Sequence, residues 1–122
     1  MKITNPVNPG WCSDPSILRV GDDYYIASST FEWMPGISIF HSRDLKNWEQ
    51  LPGALPDTLI DQEGLIPSCG IWAPNLTWHD GVFYLCFTIV QTAQGRFKDT
   101  HNYLTRALDI RGPWSKPEYL HC

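Results

Sequence analysis

Apolar residues in this chain come in short runs, each bounded by Gly, Pro, Asn or Asp, a patterning that belongs to β-strands rather than helices. Residues 16–20 and 23–28 flank Gly21-Asp22, a tight hairpin signal. In the stretch 37–42, Ile37 and Ile39 alternate with Ser38, and Phe40 then breaks the alternation, which predicts a strand covered on both faces. Residues 48–51 complete a set of four strands. A second set is predicted at 75–78, 82–88, 102–107 and 118–120, with His79-Asp80-Gly81 as its hairpin turn. Between the sets lies a linker, 52–69, broken by Pro52, Pro56 and Pro67, with a helical turn suggested over 57–62. Helix content should otherwise be near nil. The loop 91–99 should be longer than its counterpart in the first set.

The two sets are copies. Asp14-Pro15-Ser16-Ile17-Leu18 leads to Asp22-Asp23-Tyr24-Tyr25-Ile26, and Ala73-Pro74-Asn75-Leu76-Thr77 leads to Gly81-Val82-Phe83-Tyr84-Leu85. Pro15 and Pro74 lie 59 positions apart, as do Tyr25 and Tyr84. Each copy ends in an Asp, an apolar–basic step and a Trp: Asp44-Leu45-Lys46-Asn47-Trp48 and Asp109-Ile110-Arg111-Gly112-Pro113-Trp114. A repeat of about 60 residues built from short strands is the signature of a propeller blade, at the long end of the usual ~40–50. Blades bury their faces against neighbouring blades, and closed rings need roughly four to eight of them. Two blades cannot close a ring, so the chain reads as the front part of something larger. The outer face of the second copy should then expose apolar residues, and the chain should self-associate through it.

Composition agrees with a globular chain: of 122 residues, 43% are hydrophobic and 13% aromatic, with six Trp. The formal net charge is −4, with acids and bases interspersed. Without a basic stripe, nucleic acid and anionic membrane surfaces are not expected partners. The four cysteines, Cys12, Cys69, Cys86 and Cys122, form no C-x-x-C pair, so neither a zinc site nor a redox motif is expected. Cys86 lies in an apolar run and is expected to be a buried small hydrophobe. Met1-Lys2 is followed by a single apolar residue, Ile3, then by polar residues and Pro6 rather than an apolar stretch, so no signal peptide or membrane span is expected, and the compartment implied is cytoplasmic.

In a propeller the first strand of each blade lines the central channel, and its starting residue sits at one mouth. Repeat one starts that strand with Asp14 and repeat two with Ala73. Asp14 thus reads either as a turn residue before Pro15 or as a carboxylate at the channel mouth. Ser29-Thr30-Phe31-Glu32-Trp33 and Gly70-Ile71-Trp72-Ala73-Pro74 both place an aromatic beside that mouth. A carboxylate ringed by aromatics suits sugar cleavage, in which the carboxylate acts on water or on the sugar while the π-faces hold the ring.

Together these segments resemble glycoside hydrolase family 43, in its β-xylosidase/α-L-arabinofuranosidase branch. The resemblance is carried by Asn5-Pro6-Val7, Ser13-Asp14-Pro15-Ser16-Ile17, Asp22-Asp23-Tyr24-Tyr25-Ile26, Ser29-Thr30-Phe31-Glu32-Trp33, Pro35-Gly36, His41-Ser42-Arg43-Asp44-Leu45 with Trp48, Gly70-Ile71-Trp72-Ala73-Pro74, and Lys98-Asp99 with His101-Asn102-Tyr103-Leu104. It implies an all-β fold, the first two four-stranded blades of a five-bladed β-propeller, with blade 1 at about 14–51, a linker at about 52–69 and blade 2 at about 70–120. It implies an inverting glycosidase acting on xylo- or arabino-oligosaccharides. Asp14 matches the family's general base, Phe31 and Trp72 match apolar walls of the sugar pocket, and Trp33 is a further candidate for that wall. No metal ligand and no cofactor is implied. The family's second Asp would fall near position 132 and its general-acid Glu later still. Glu32, Glu63, Asp99 and Glu118 do not start inner strands and are poor substitutes, and Asp99 and His101 are expected to fix loop geometry. The chain alone should therefore be inactive. The same aromatic pocket also admits a reading as a non-catalytic carbohydrate-binding module, and short propeller pieces assembling into a ring remain a structural reading.

Overall fold

The structure, a computed structural model, describes residues 2–56, 66–92, 94–95 and 99–121. Every predicted strand is formed: β1 (Ser13–Val20), β2 (Asp23–Ser29), β3 (Ile37–Ser42), β4 (Glu49–Leu51), β5 (Gly70–His79), β6 (Val82–Val90), β7 (His101–Ala107) and β8 (Glu118–Tyr119). They make two antiparallel four-stranded sheets, ordered β1-β2-β3-β4 and β5-β6-β7-β8. Each is a meander in which every strand pairs with its chain neighbour, across connections of two to ten residues. The described residues contain no helix, so none is long and apolar enough to cross a membrane. The suggested helical turn at 57–62 lies outside the described residues.

Turn chemistry fixes both inner hairpins. Val20 pairs with Asp23 across Gly21-Asp22, and His79 pairs with Val82 across Asp80-Gly81. Asp80 and Gly81 have φ of 47° and 82°, the left-handed pair that a type I′ hairpin demands.

β1 and β5 begin earlier than the apolar pattern suggests, because each carries a bulge where the alternation fails. Ser13 pairs with Ser29 but Ser16 with Ala27, so Asp14-Pro15 are opposed by Ser28 alone. Likewise Trp72 pairs with Thr88 but Asn75 with Cys86, leaving Ala73-Pro74 opposite Phe87. Proline cannot donate to a ladder, and the bulge absorbs it.

The sheets pack face to face. Leu18, Tyr25, Ala27, Ile37 and Ile39 of the first meet Leu76, Phe83, Leu85 and Phe87 of the second in one core. The Tyr25 and Phe83 rings cross edge to face at 5.6 Å. Polar ties cross the same seam: Leu76 N donates to Ser16 Oγ at 3.1 Å, and Arg111 reaches Glu49 at 3.4 Å. As Phe40 signalled, β3 is covered on both faces, with Ser38 as well as Ile37 and Ile39 buried.

One expectation is corrected. Cys86 is half-buried, because in β6 the core-facing residues are Phe83, Leu85, Phe87 and Ile89, and Cys86 points the other way; the buried thiol is Cys69. Burial pushes both thiols above their ordinary range. The outward face of the second sheet does expose apolar side chains, interleaved with polar ones. Tyr84, Cys86 and Leu104 are half-exposed there beside Asn75, Thr77 and Arg106, and none of the strongly exposed large apolar side chains sits on it.

Candidate active site

The bulge of β1 sets Asp14 apart from its strand. Its φ is 47°, a left-handed conformation that costs a non-glycine residue about 1–2 kcal/mol and places its exposed side chain at the start of the inner strand. Asp14 Oδ2 accepts hydrogen bonds from Ser29 Oγ at 2.9 Å and from Ser13 Oγ at 3.3 Å. Ser29 is fully buried, and its Oγ also lies 3.1 Å from the Ser13 carbonyl oxygen. Ala73 repeats the backbone geometry in β5, with φ of 42° and no carboxylate.

Phe31 follows β2 by two residues and also has a left-handed φ, 55°. Its carbonyl accepts the Ile71 N–H at 3.0 Å in an isolated antiparallel bridge, which ties the loop after β2 to the start of β5. Gly70 makes that approach possible: a Cβ there would lie 2.3 Å from the Phe31 carbonyl oxygen, and Gly70 itself has φ of 97°. Trp72 is thereby brought to Phe31, the rings meeting at 6.3 Å and 89°. Trp72 Nε1 donates to the Ser68 carbonyl at 2.8 Å, and Ser68 N donates to Glu32 Oε2 at 3.1 Å. Glu32 thus anchors the turn that carries Trp72.

The sequence-predicted residues therefore divide. Asp14, Phe31 and Trp72 are linked step by step through Ser29, the Phe31–Ile71 bridge and chain adjacency. Trp33 lies further out, 68% exposed, on the rim of a groove of about 430 Å³ that also takes in Trp11, Thr30, Phe31, Glu32 and Met34. Trp11 had no role in the sequence reading, yet its ring stands 5.7 Å from Phe31. Ser29, Ser68 and Gly70 were equally unassigned. Only their adjacency to Phe31 and Trp72 in the chain hinted at them. Asp99 does fix its loop, its Oδ2 accepting the N–H groups of Gln91 at 2.8 Å and Thr92 at 2.7 Å. Lys98 lies outside the described residues. His101 is a β7 residue whose ring leans on Tyr119 at 5.8 Å.

A larger cleft, about 590 Å³, lies at the outer rim between Gly53–Pro56 and Arg111–Pro117. Among the described residues it is lined by no carboxylate and by none of the predicted site residues. Among the described residues, no three His, Cys, Asp or Glu side chains converge in a way that would hold a metal ion.

Comparison with known proteins gives this arrangement its context. Residues 3–122 match the family model described as glycosyl hydrolases family 43. The chain is 54% identical over 122 residues to the xylosidase/arabinosidase 43B of Humicola insolens, and 51% identical over 118 residues to a β-xylosidase of Bacillus subtilis. It covers 98% and 96% of itself in these matches, but 22% of each relative's length. The crystal structure of a xylan β-1,4-xylosidase from Bacillus halodurans superposes with a TM-score of 0.92 at 57% identity, over 98% of this chain and 23% of that one. The fold shared with such structures is the five-bladed β-propeller, of which the two sheets described above are consecutive blades. With the family model matched over residues 3–122 and relatives more than half identical across the chain, the chain belongs to glycosyl hydrolase family 43.

Proposed function

We propose that this chain carries the water-activating carboxylate and part of the sugar-holding wall of an inverting glycosidase that acts on xylan- or arabinoxylan-derived oligosaccharides. The observation that supports this most is the placement of Asp14: exposed on a left-handed bulge, held by two hydroxyls, and linked through β2 to the crossed rings of Phe31 and Trp72. An inverting site needs a base on one side of the scissile bond and an acid on the other, about 6.5–9.5 Å apart, so that a water fits between. Asp14 takes the water's proton. Phe31 and Trp72 present apolar faces to the C–H side of the ring, and Trp33 extends that wall outward.

The acid is a different matter. Glu32 is committed to the Ser68 turn, and Glu118 lies in the outermost strand, paired with Arg106 at 2.7 Å. General acid assistance contributes about 10²–10⁴ in rate, and a sugar leaving group depends on it. By itself the chain should release negligible nitrophenol from an aryl xyloside, and release that disappears in Asp14→Ala would overturn that statement. The site assignment is tested by titrating the chain with xylotriose while following NMR resonances. Shifts should centre on Asp14, Phe31 and Trp72, and shifts confined to the outer cleft would remove the proposal. The exposure of Trp11, 72%, and of Trp33, 68%, favours a second reading as a carbohydrate-binding module. Xylotriose binding that survives Asp14→Ala but fails in Trp72→Ala would select it.

A further inference from the structure

We propose that Ser29 is the positioning residue for Asp14, an inference that rests on the reading of Asp14 as the base. An exposed carboxylate on a bulge has rotamers to choose from, and a base must present one oxygen in one direction. Ser29 supplies the fixed point. It is fully buried, and its backbone is pinned in the ladder on both sides, to Ser13 in β1 and Ile37 in β3.

The hydroxyl has one proton and two acceptors within reach: Asp14 Oδ2 at 2.9 Å and the Ser13 carbonyl at 3.1 Å. While the carboxylate is charged it is the stronger acceptor and takes the hydrogen bond. When Asp14 gains a proton, the hydroxyl can turn to the Ser13 carbonyl and stay satisfied. A buried donor is then never stranded, which would otherwise cost about 1–3 kcal/mol. Both contacts to Asp14 fall on Oδ2. Oδ1 makes no hydrogen bond among the described residues and is the oxygen left for water.

The second blade is an internal control. Thr88 stands opposite Trp72 as Ser29 stands opposite Ser13, and the bulge there is formed equally well over Ala73. Yet the Thr88 hydroxyl turns across the sheet to Asn102 Oδ1 at 2.7 Å. The bulge therefore does not need a hydroxyl aimed at its apex, and the Ser29–Asp14 contact is extra to the fold.

The test reads the side-chain rotamer of Asp14 from its three-bond Hα–Hβ couplings in the chain as it stands. The parent chain should give the couplings of a single rotamer, and Ser29→Ala should move them towards the averaged values of a carboxylate that samples several. Ser29→Thr, which keeps the hydroxyl, should restore the parent couplings. Unchanged couplings in a folded Ser29→Ala chain overturn the proposal. If Ser29→Ala does not fold, Ser29→Cys, with a weaker donor, should give partial averaging, and couplings equal to those of the parent chain overturn it there. These outcomes concern only how Asp14 is held, whereas xylotriose shifts remote from Asp14 would strike at its function and leave the rotamer result standing.

Discussion

The two blades present the same residues to different neighbours, and their burial diverges accordingly. Ile17 and Leu76 are matched across the 59-residue repeat, as are Tyr25 and Tyr84. Leu76 is 2% exposed and Ile17 is 64% exposed. Tyr25 is buried, whereas Tyr84 is half-exposed. The direction of the contrast reverses because each sheet covers only one face of the other: the seam buries the later-facing side of blade one and the earlier-facing side of blade two. At the apex of the inner strand the blades differ in chemistry rather than burial. There Asp14 and Ser29 stand where Ala73 and Thr88 stand in the second copy. One backbone device, a left-handed bulge before proline, thus carries a carboxylate in one blade and a bare methyl in the other.

This contrast can be broken most severely at Gly70. Its matched position is Trp11, which lies on the surface, while Gly70 passes against the Phe31 carbonyl with no room for a methyl. Gly70→Ala should cost about 3 kcal/mol or more in urea unfolding, through clash and a left-handed φ together. Trp11→Ala should cost no more than about 1 kcal/mol. Equal costs would mean the Phe31–Ile71 bridge does not tie the blades.

Next in size is the seam itself. Leu76→Ala should destabilise by about 2–5 kcal/mol and Ile17→Ala by about 0.5 kcal/mol or less, because only the first leaves a cavity. A loss from Ile17→Ala as large as that from Leu76→Ala would show that its face is covered in solution by another copy of the chain.

The smallest effect distinguishes the closing turns. Asp44 accepts the backbone N–H groups of Asn47 at 2.8 Å and Lys46 at 2.9 Å, with the Asn47 amide and the Ser42 hydroxyl adding to them. These bonds to the charged form, the Asn47 N–H first, hold its carboxyl well below the usual carboxylate range. Its counterpart Asp109 accepts the Arg111 N–H at 2.8 Å. A lowered value in the folded state stabilises fully above the ordinary carboxylate value of 3.8, and that contribution is lost as pH falls through it towards the folded value. Asp23, held low chiefly by Arg43 and then by His41, acts in the same sense. Between about pH 6 and about pH 3 the urea midpoint should therefore fall. Asp44→Asn should flatten that fall, and an unchanged slope would show that the Asp44 turn does not carry it.

Much of this architecture was legible in the chain. Gly21-Asp22 and Asp80-Gly81 announce hairpins because few other pairs tolerate the backbone they need, and the repeated Pro–Tyr spacing announces blades. The bulges were not legible. Asp14-Pro15 and Ala73-Pro74 read as ends of strands, since proline argues against a ladder, and only the pairing beyond them shows the strands continuing. Cys86 was misjudged for a related reason: an apolar run does not say which of its alternate residues meets a neighbour. The site was legible as a set of types, a carboxylate and aromatics near one mouth. Its wiring through Ser29, Ser68 and Gly70 was not, because small residues signal little until their neighbours are in place.

What the sequence determined by itself was local: strand period, turn identity, the repeat, and the presence of one acid where its copy has alanine. These follow from the preferences of each residue and its near neighbours. Which face of each sheet is sealed, how close Phe31 comes to Gly70 and which oxygen of Asp14 is held were decided only by the tertiary structure. Those depend on atoms more than a dozen residues apart in the chain, whose meeting is set by the packing of one sheet against another and by the register within each.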